Sequence, residues 1–299
     1  MAEPLPGTYY HVSETDTFPY ILPHRSINPE GVSTIVFIHG AFGSHHEYAG
    51  VISSSLLEDY HLILPDLHSD GRDITKGIKP FEILRVAELV GHLIKRKAKN
   101  GGKAHLVGVS LGAHIVIATA ALYPEITKDH CIFISGYNRF QPPSIFKPII
   151  PYAYAGLVKI GNTWPFRSTT PTDNVPHEDV PDDGNLPPPD EVANMEILRH
   201  VVDTIFDTSN SGESLLKEQG IVERTCIVVA THKSSGDRIA HSQRLLEKIE
   251  GTNCEGRGHI LVQNKNMKHP WHMFEPHLFA RSTLAWIEGK DLQKGFQPC

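Results

Sequence analysis

Gly108-Val109-Ser110-Leu111-Gly112 is a G-x-S-x-G pentapeptide. The apolar run 104–109 leads into it, and an Ala/Ile-rich stretch through Ala113, Ile115, Val116, Ile117, Ala118 and Ala121 leaves it. A serine on a tight strand-to-helix turn is forced into strained backbone geometry, with its hydroxyl presented at the sheet edge. The flanking glycines let neighbouring backbone pass without a Cβ clash. The helix N-terminus below favours the negative charge that develops during acyl transfer. The chemistry open to Ser110 is therefore nucleophilic attack on a carbonyl.

The elements that must position this serine are legible as short, continuously apolar runs at Thr34–Ile38, 61–64, 104–109, 131–134, Thr225–Ala230 and 259–262. Apolarity without alternation means that both faces of each strand are covered, as in a parallel sheet. Helical patterns separate the runs. Residues 80–99 carry Ile83, Leu84, Ala87, Val90 and Ile94 at helical spacing and stop at Asn100-Gly101-Gly102; a last helix spans 276–288. Residues 8–22 read as an opening β-hairpin. The expected fold is a doubly wound, mostly parallel α/β sheet. A proline-dense stretch, 142–189, breaks the alternation and is followed by helices near 190–208 and 212–219. Its aromatics, Tyr152, Tyr154, Trp164 and Phe166, argue for an ordered cap over the carboxyl edge. The expected division is a core of 1–137 and 221–299 with a cap of 138–220.

The pentapeptide in this setting resembles the nucleophile elbow of the α/β-hydrolase superfamily, and the resemblance extends over nearly the whole chain outside the cap. His39-Gly40-Ala41-Phe42-Gly43, after Thr34–Ile38, is similar to the family's oxyanion loop, and Leu64-Pro65-Asp66 to its "PD" turn. A serine at the nucleophile position points away from the dehalogenase and epoxide-hydrolase branches, which use aspartate there. The resemblance implies partners in the order Ser…Asp/Glu…His. Asp237, in the loop after Thr225–Ala230, resembles the triad acid, with Asp203 and Asp207 as alternatives. His269, seven residues before the helix-opening Pro276, resembles the base, with His272 as the alternative; Lys268 stands where the family usually has glycine. The oxyanion donors implied are the backbone N–H groups of Ala41 and Leu111. Phe42, Trp164 and His272 are the expected substrate contacts. The implied reaction is two-step acyl transfer on an ester, lactone or thioester of a mainly apolar small molecule, without cofactor or metal. A lyase or cyclase using the same triad, and a weakly catalytic ligand receptor, are the rival readings.

Composition bounds the rest. With 299 residues, 40% hydrophobic and 21% charged, the chain can bury a core without staples. Net charge is −6, with no Lys/Arg run to suggest a nucleic-acid or membrane-surface partner. Four cysteines make no disulfide scaffold, and Cys131 and Cys226 lie in apolar runs. His45-His46-Glu47 lacks metal-ligand spacing, so no metal is expected. His39 is expected to brace its loop and His114 to be a core residue. The start lacks a secretory layout and no apolar stretch suits a membrane span, so a cytoplasmic location is expected. The oligomeric state is left open.

Overall fold

The computed structural model describes residues 22–67, 81–138, 152–153, 195–206, 212–219, 221–233, 237–250 and 258–299. Eight strands form one sheet: β1 His24–Ile27, β2 Thr34–Ile38, β3 His61–Pro65, β4 His105–Val109, β5 Ile132–Ser135, β6 Thr225–Ala230, β7 Ile260–Asn264 and β8 Gln297–Pro298. Their order is β1-β3-β2-β4-β5-β6-β7-β8. The six inner strands pair in parallel, while β1 on β3 and β8 on β7 are antiparallel edges.

Those six strands are the six apolar runs, shifted by no more than two residues at an end. Their continuity has the expected cause. In β2, Val36 and Ile38 join one core while Ile35 and Phe37 join the other, on the opposite face. The edge strands were not expected, because β1 is polar and β8 is two residues long. They contribute mainly backbone pairing at the edges, with Ile27 of β1 packing partly buried against one core. The expected hairpin at 8–22 lies outside the described residues apart from Leu22, which is buried.

Six helices matter for the site: α1 Ile83–Lys97, α2 Leu111–Leu122, α3 Met195–Phe206, α4 Glu213–Gln219, α5 Ile239–Glu250 and α6 Pro276–Ile287. α2 is apolar on nearly every side because it lies between the sheet, α1 and α4. α1 and α5 share its face, and α6 covers the other with Phe279 and Trp286. Each large side chain so buried contributes roughly 1.5–3 kcal/mol.

α3 and α4 are the helices expected near 190–208 and 212–219. Val201, Leu215 and Leu216 enter the same core as α2. Thr204 Oγ1 donates to the Phe81 carbonyl at 2.9 Å, and Tyr137 Oη to Glu213 Oε1 at 2.5 Å. Apart from residues 152–153, the proline-dense stretch, with Tyr154, Trp164 and Phe166, lies outside the described residues, as does Asp207. Among the described residues no helix is long and apolar enough to cross a membrane.

Strand order selects the working edge. From β2 the chain steps outward to β3, crosses back to β4, then proceeds away through β5, β6 and β7. Connections therefore diverge between β2 and β4, opening a crevice at their carboxyl ends, where doubly wound sheets bind ligands.

Candidate active site

Ser110 follows β4 and opens α2 with φ 57° and ψ −118°. Such a conformation costs a non-glycine residue about 1–3 kcal/mol. It is held by its surroundings: Ser110 N–H donates to the Ser135 carbonyl at 2.9 Å, and its own carbonyl accepts from Ala113 N–H at 3.0 Å. Gly112 makes the turn possible, since a Cβ there would stand 2.0 Å from the Ile38 carbonyl oxygen. The start of α2 thus rests directly on the carboxyl end of β2. Leu111 is the first residue of α2, and Ser110 itself is partly exposed.

His269 and Asp237 converge on this turn from the neighbouring strands. Asp237 follows β6; its side chain is only 1% exposed, and Oδ1 lies 3.0 Å from His269 Nδ1. The ring nitrogen is at ion-pair distance but not aligned for a straight hydrogen bond. The carboxylate is fixed from two other directions, accepting from Asn138 Nδ2 at 2.7 Å and from Ala230 N–H at 3.1 Å. His269 follows β7 and keeps 25% of its side chain exposed. Backbone bonds from Thr231 N–H to the Asn264 carbonyl and from His232 N–H to the Met267 carbonyl zip the two loops together. The imidazole lies against Gly136, just beyond β5, where φ is 68°. A Cβ at Gly136 would stand 2.4 Å from His269 Cε1 and 3.6 Å from Ser110 N. A methyl carbon there would thus overlap the imidazole while touching the Ser110 backbone.

His272 lies elsewhere. Its side chain has no exposed surface, and Nε2 stands 3.2 Å from Glu47 Oε2. Its ring packs on Tyr48 and Phe279, with centroids 4.9 and 5.7 Å away. Expected as a substrate contact, it is instead fully buried against Glu47, Tyr48 and Phe279, because the turn Trp271–Phe274 carries it inward. Trp271, on that turn, is anchored by Nε1 donating to Ser135 Oγ at 2.7 Å. Asp203, an alternative acid, pairs with Arg199 on α3 at 2.7 Å. Ala41 and Phe42, within the loop 39–43, are partly buried against the core.

The loop 39–43, expected to be the oxyanion loop, is pinned by side chains. His39 Nδ1 bonds to the Gly40 carbonyl at 2.8 Å while Nε2 accepts from Leu67 N–H at 2.9 Å, so His39 braces its loop. His45 bonds to Asp66 through both its backbone N–H and Nδ1, each at 2.7 Å. Burial would raise the Asp66 carboxyl, but the His45 hydrogen bonds and the nearby imidazoles outweigh it and hold the group below its usual range. Burial likewise pushes Glu47 up. His272, His39 and the Gly40 amide outweigh that effect and leave its carboxyl lowered. Among the described residues no cluster of three His, Cys, Asp or Glu side chains could hold a metal ion. Gly136 and Asn138 escaped the sequence reading, and Glu47 entered it only as part of a rejected metal cluster. Gly136 left one usable signal, a glycine straight after an apolar run; the other two left none.

The sequence profile of the alpha/beta hydrolase family matches residues 35–282. An AB hydrolase superfamily protein of Gibberella zeae is 33% identical over 288 residues, spanning 96% of this chain and 89% of that protein. Among solved structures, a putative non-heme bromoperoxidase, BpoC, from Mycobacterium tuberculosis superposes with a TM-score of 0.62 at 14% identity, over 94% of this chain and 99% of that one. A thermophilic esterase from Thermogutta terrifontis gives 0.62 at 14%, over 90% and 93%. At these identities the structural likeness is one of fold.

Proposed function

The chain belongs to the alpha/beta hydrolase family, and within it we propose that the protein is a serine hydrolase cleaving an ester, lactone or thioester of a mainly apolar small molecule. One observation carries the reading: His269 lies 3.0 Å from the buried Asp237 carboxylate, with its ring against Gly136 beside the strained Ser110.

In this reading Ser110 Oγ attacks the acyl carbonyl and forms a C–O bond while His269 takes the hydroxyl proton. The N–H groups of Ala41 and Leu111 stabilise the oxyanion. Asp237 holds the ring orientation and balances the imidazolium. The tetrahedral intermediate collapses as His269 returns its proton to the leaving group. Water, deprotonated by His269, then repeats the sequence on the acyl-enzyme and frees the acid. Ala41 and Phe42, apolar residues of the loop itself, support an apolar acyl group.

A fluorophosphonate probe tests the reading together with p-nitrophenyl esters of increasing chain length. Wild-type protein is expected to label and to turn over. Ser110→Ala and His269→Ala are each expected to lose at least about 10³-fold in kcat with unchanged melting. Labelling that persists in Ser110→Ala, or wild-type protein without turnover, refutes it.

A further inference from the structure

Building on that reading, the geometry points to Glu47 and His272 as positioning residues that aim the Ala41 amide at the developing oxyanion. Gly40 precedes Ala41, and both of its backbone polar groups are tied from behind. Its N–H donates to Glu47 Oε2 at 3.1 Å, and its carbonyl is held by His39 Nδ1 at 2.8 Å. Leu67 N–H occupies the other His39 nitrogen, so the His39 proton sits on Nδ1 and points at that carbonyl. A trans peptide group is planar, with C=O and N–H on opposite sides. Holding the Gly40 carbonyl toward His39 therefore turns the Ala41 N–H away from His39. The nucleophile lies close by: Ser110 Cβ is 3.6 Å from the Cβ position of Gly40, and Glu47 Oε2 is also 3.6 Å from that point.

Glu47 reaches Gly40 from the single turn His45–Tyr48 and is itself fixed by His272 Nε2, three residues after His269. Tyr48 and Phe279 wall in the His272 ring, and Tyr48 Oη donates to the Ile38 carbonyl at the end of β2 at 3.0 Å. The pair thus couples the loop bearing the base to the loop bearing the oxyanion donor. Stability alone does not call for it, because apolar residues of similar volume commonly serve a buried site as well as an ion pair does. Anchoring Gly40 at both its N–H and its carbonyl restrains rotation of the following peptide, which carries the Ala41 N–H.

The test measures kcat and KM for a p-nitrophenyl ester, and the affinity of an alkylboronic acid whose Ser110 adduct mimics the tetrahedral intermediate. Glu47→Ala is expected to lose about 10- to 100-fold in kcat, with KM within about twofold and boronate affinity falling in step. Glu47→Gln keeps an acceptor for Gly40 N–H and is expected to restore most of the loss. His272→Leu is expected to lose kcat too, and the double variant Glu47→Ala/His272→Leu to lose less than the product of the single losses. If Glu47→Ala fails to fold, His272→Leu against His272→Gln, which retains a donor to Glu47, makes the same comparison. An unchanged kcat in the folded variants, or a loss seen in KM alone, overturns the brace while wild-type labelling still stands. A wild type inert to fluorophosphonate overturns the hydrolase reading and the brace with it.

Discussion

One methyl group at Gly136 should separate catalysis from folding. The Cβ of Gly136→Ala would stand 2.4 Å from His269 Cε1 and 2.5 Å from Nδ1. Carbon atoms rest comfortably about 3.5–4.0 Å apart, so the imidazole must retreat by about 1 Å. That movement disturbs the 3.0 Å approach to Asp237 and the direction from the ring to Ser110. A misplacement of about 1 Å can cost about 10²-fold in rate. The backbone contributes separately: φ is 68°, and a left-handed residue with a Cβ loses about 1–2 kcal/mol of folding stability. Gly101→Ala controls for that cost, since φ there is 77° and nothing lies within 4 Å of the added carbon. Both variants should melt a few degrees lower. Only Gly136→Ala should lose about 10²-fold in kcat on a p-nitrophenyl ester. Equal kcat in the two variants would mean that the His269 ring does not stand against Gly136 in the working protein.

Two further outcomes follow from buried polar groups. Asn138→Ala removes the 2.7 Å bond to Asp237 Oδ1; a hydrogen bond to a charged group is worth about 1.5–3 kcal/mol, so kcat should fall about 10- to 100-fold, and an unchanged kcat would show that Asn138 does not hold the acid. Burial, with the charges of His130 and Arg224, depresses His105 from 6.5 to about 3. The unfolded chain then binds a proton below pH 6.5 that the folded chain refuses, so this contribution is full above 6.5 and is lost as pH falls toward 3. The ceiling is about 5 kcal/mol. Thermal melts of His105→Gln should depend less steeply on pH below 6.5 than those of wild type, and parallel curves would refute the assignment.

Glu47 and Asn138 show why part of the site could not be read from the chain. Glu47 meets His272 across 225 residues, and Asn138 meets Asp237 across 99. Neither has a local pattern, since a lone carboxylate or amide in a loop looks the same whether it faces solvent or a buried imidazole. The segment expected to form a cap fares differently. The helices expected near 190–208 and 212–219 are present as α3 and α4, while the role expected of Trp164 rests on composition alone.

By itself the sequence determined what depends on local chemistry. Each inner strand declares two buried faces through unbroken apolarity, and the G-x-S-x-G turn declares a strained serine through the glycines around it. Tertiary structure decided which of two histidines three residues apart faces Asp237 and which turns inward to Glu47. It also decided that two polar segments, His24–Ile27 and Gln297–Pro298, would close the sheet edges. The physical reason is one of range. Hydrophobic period and backbone strain are properties of neighbours in the chain. The aim of a ring or an amide is set by whatever the fold packs behind it.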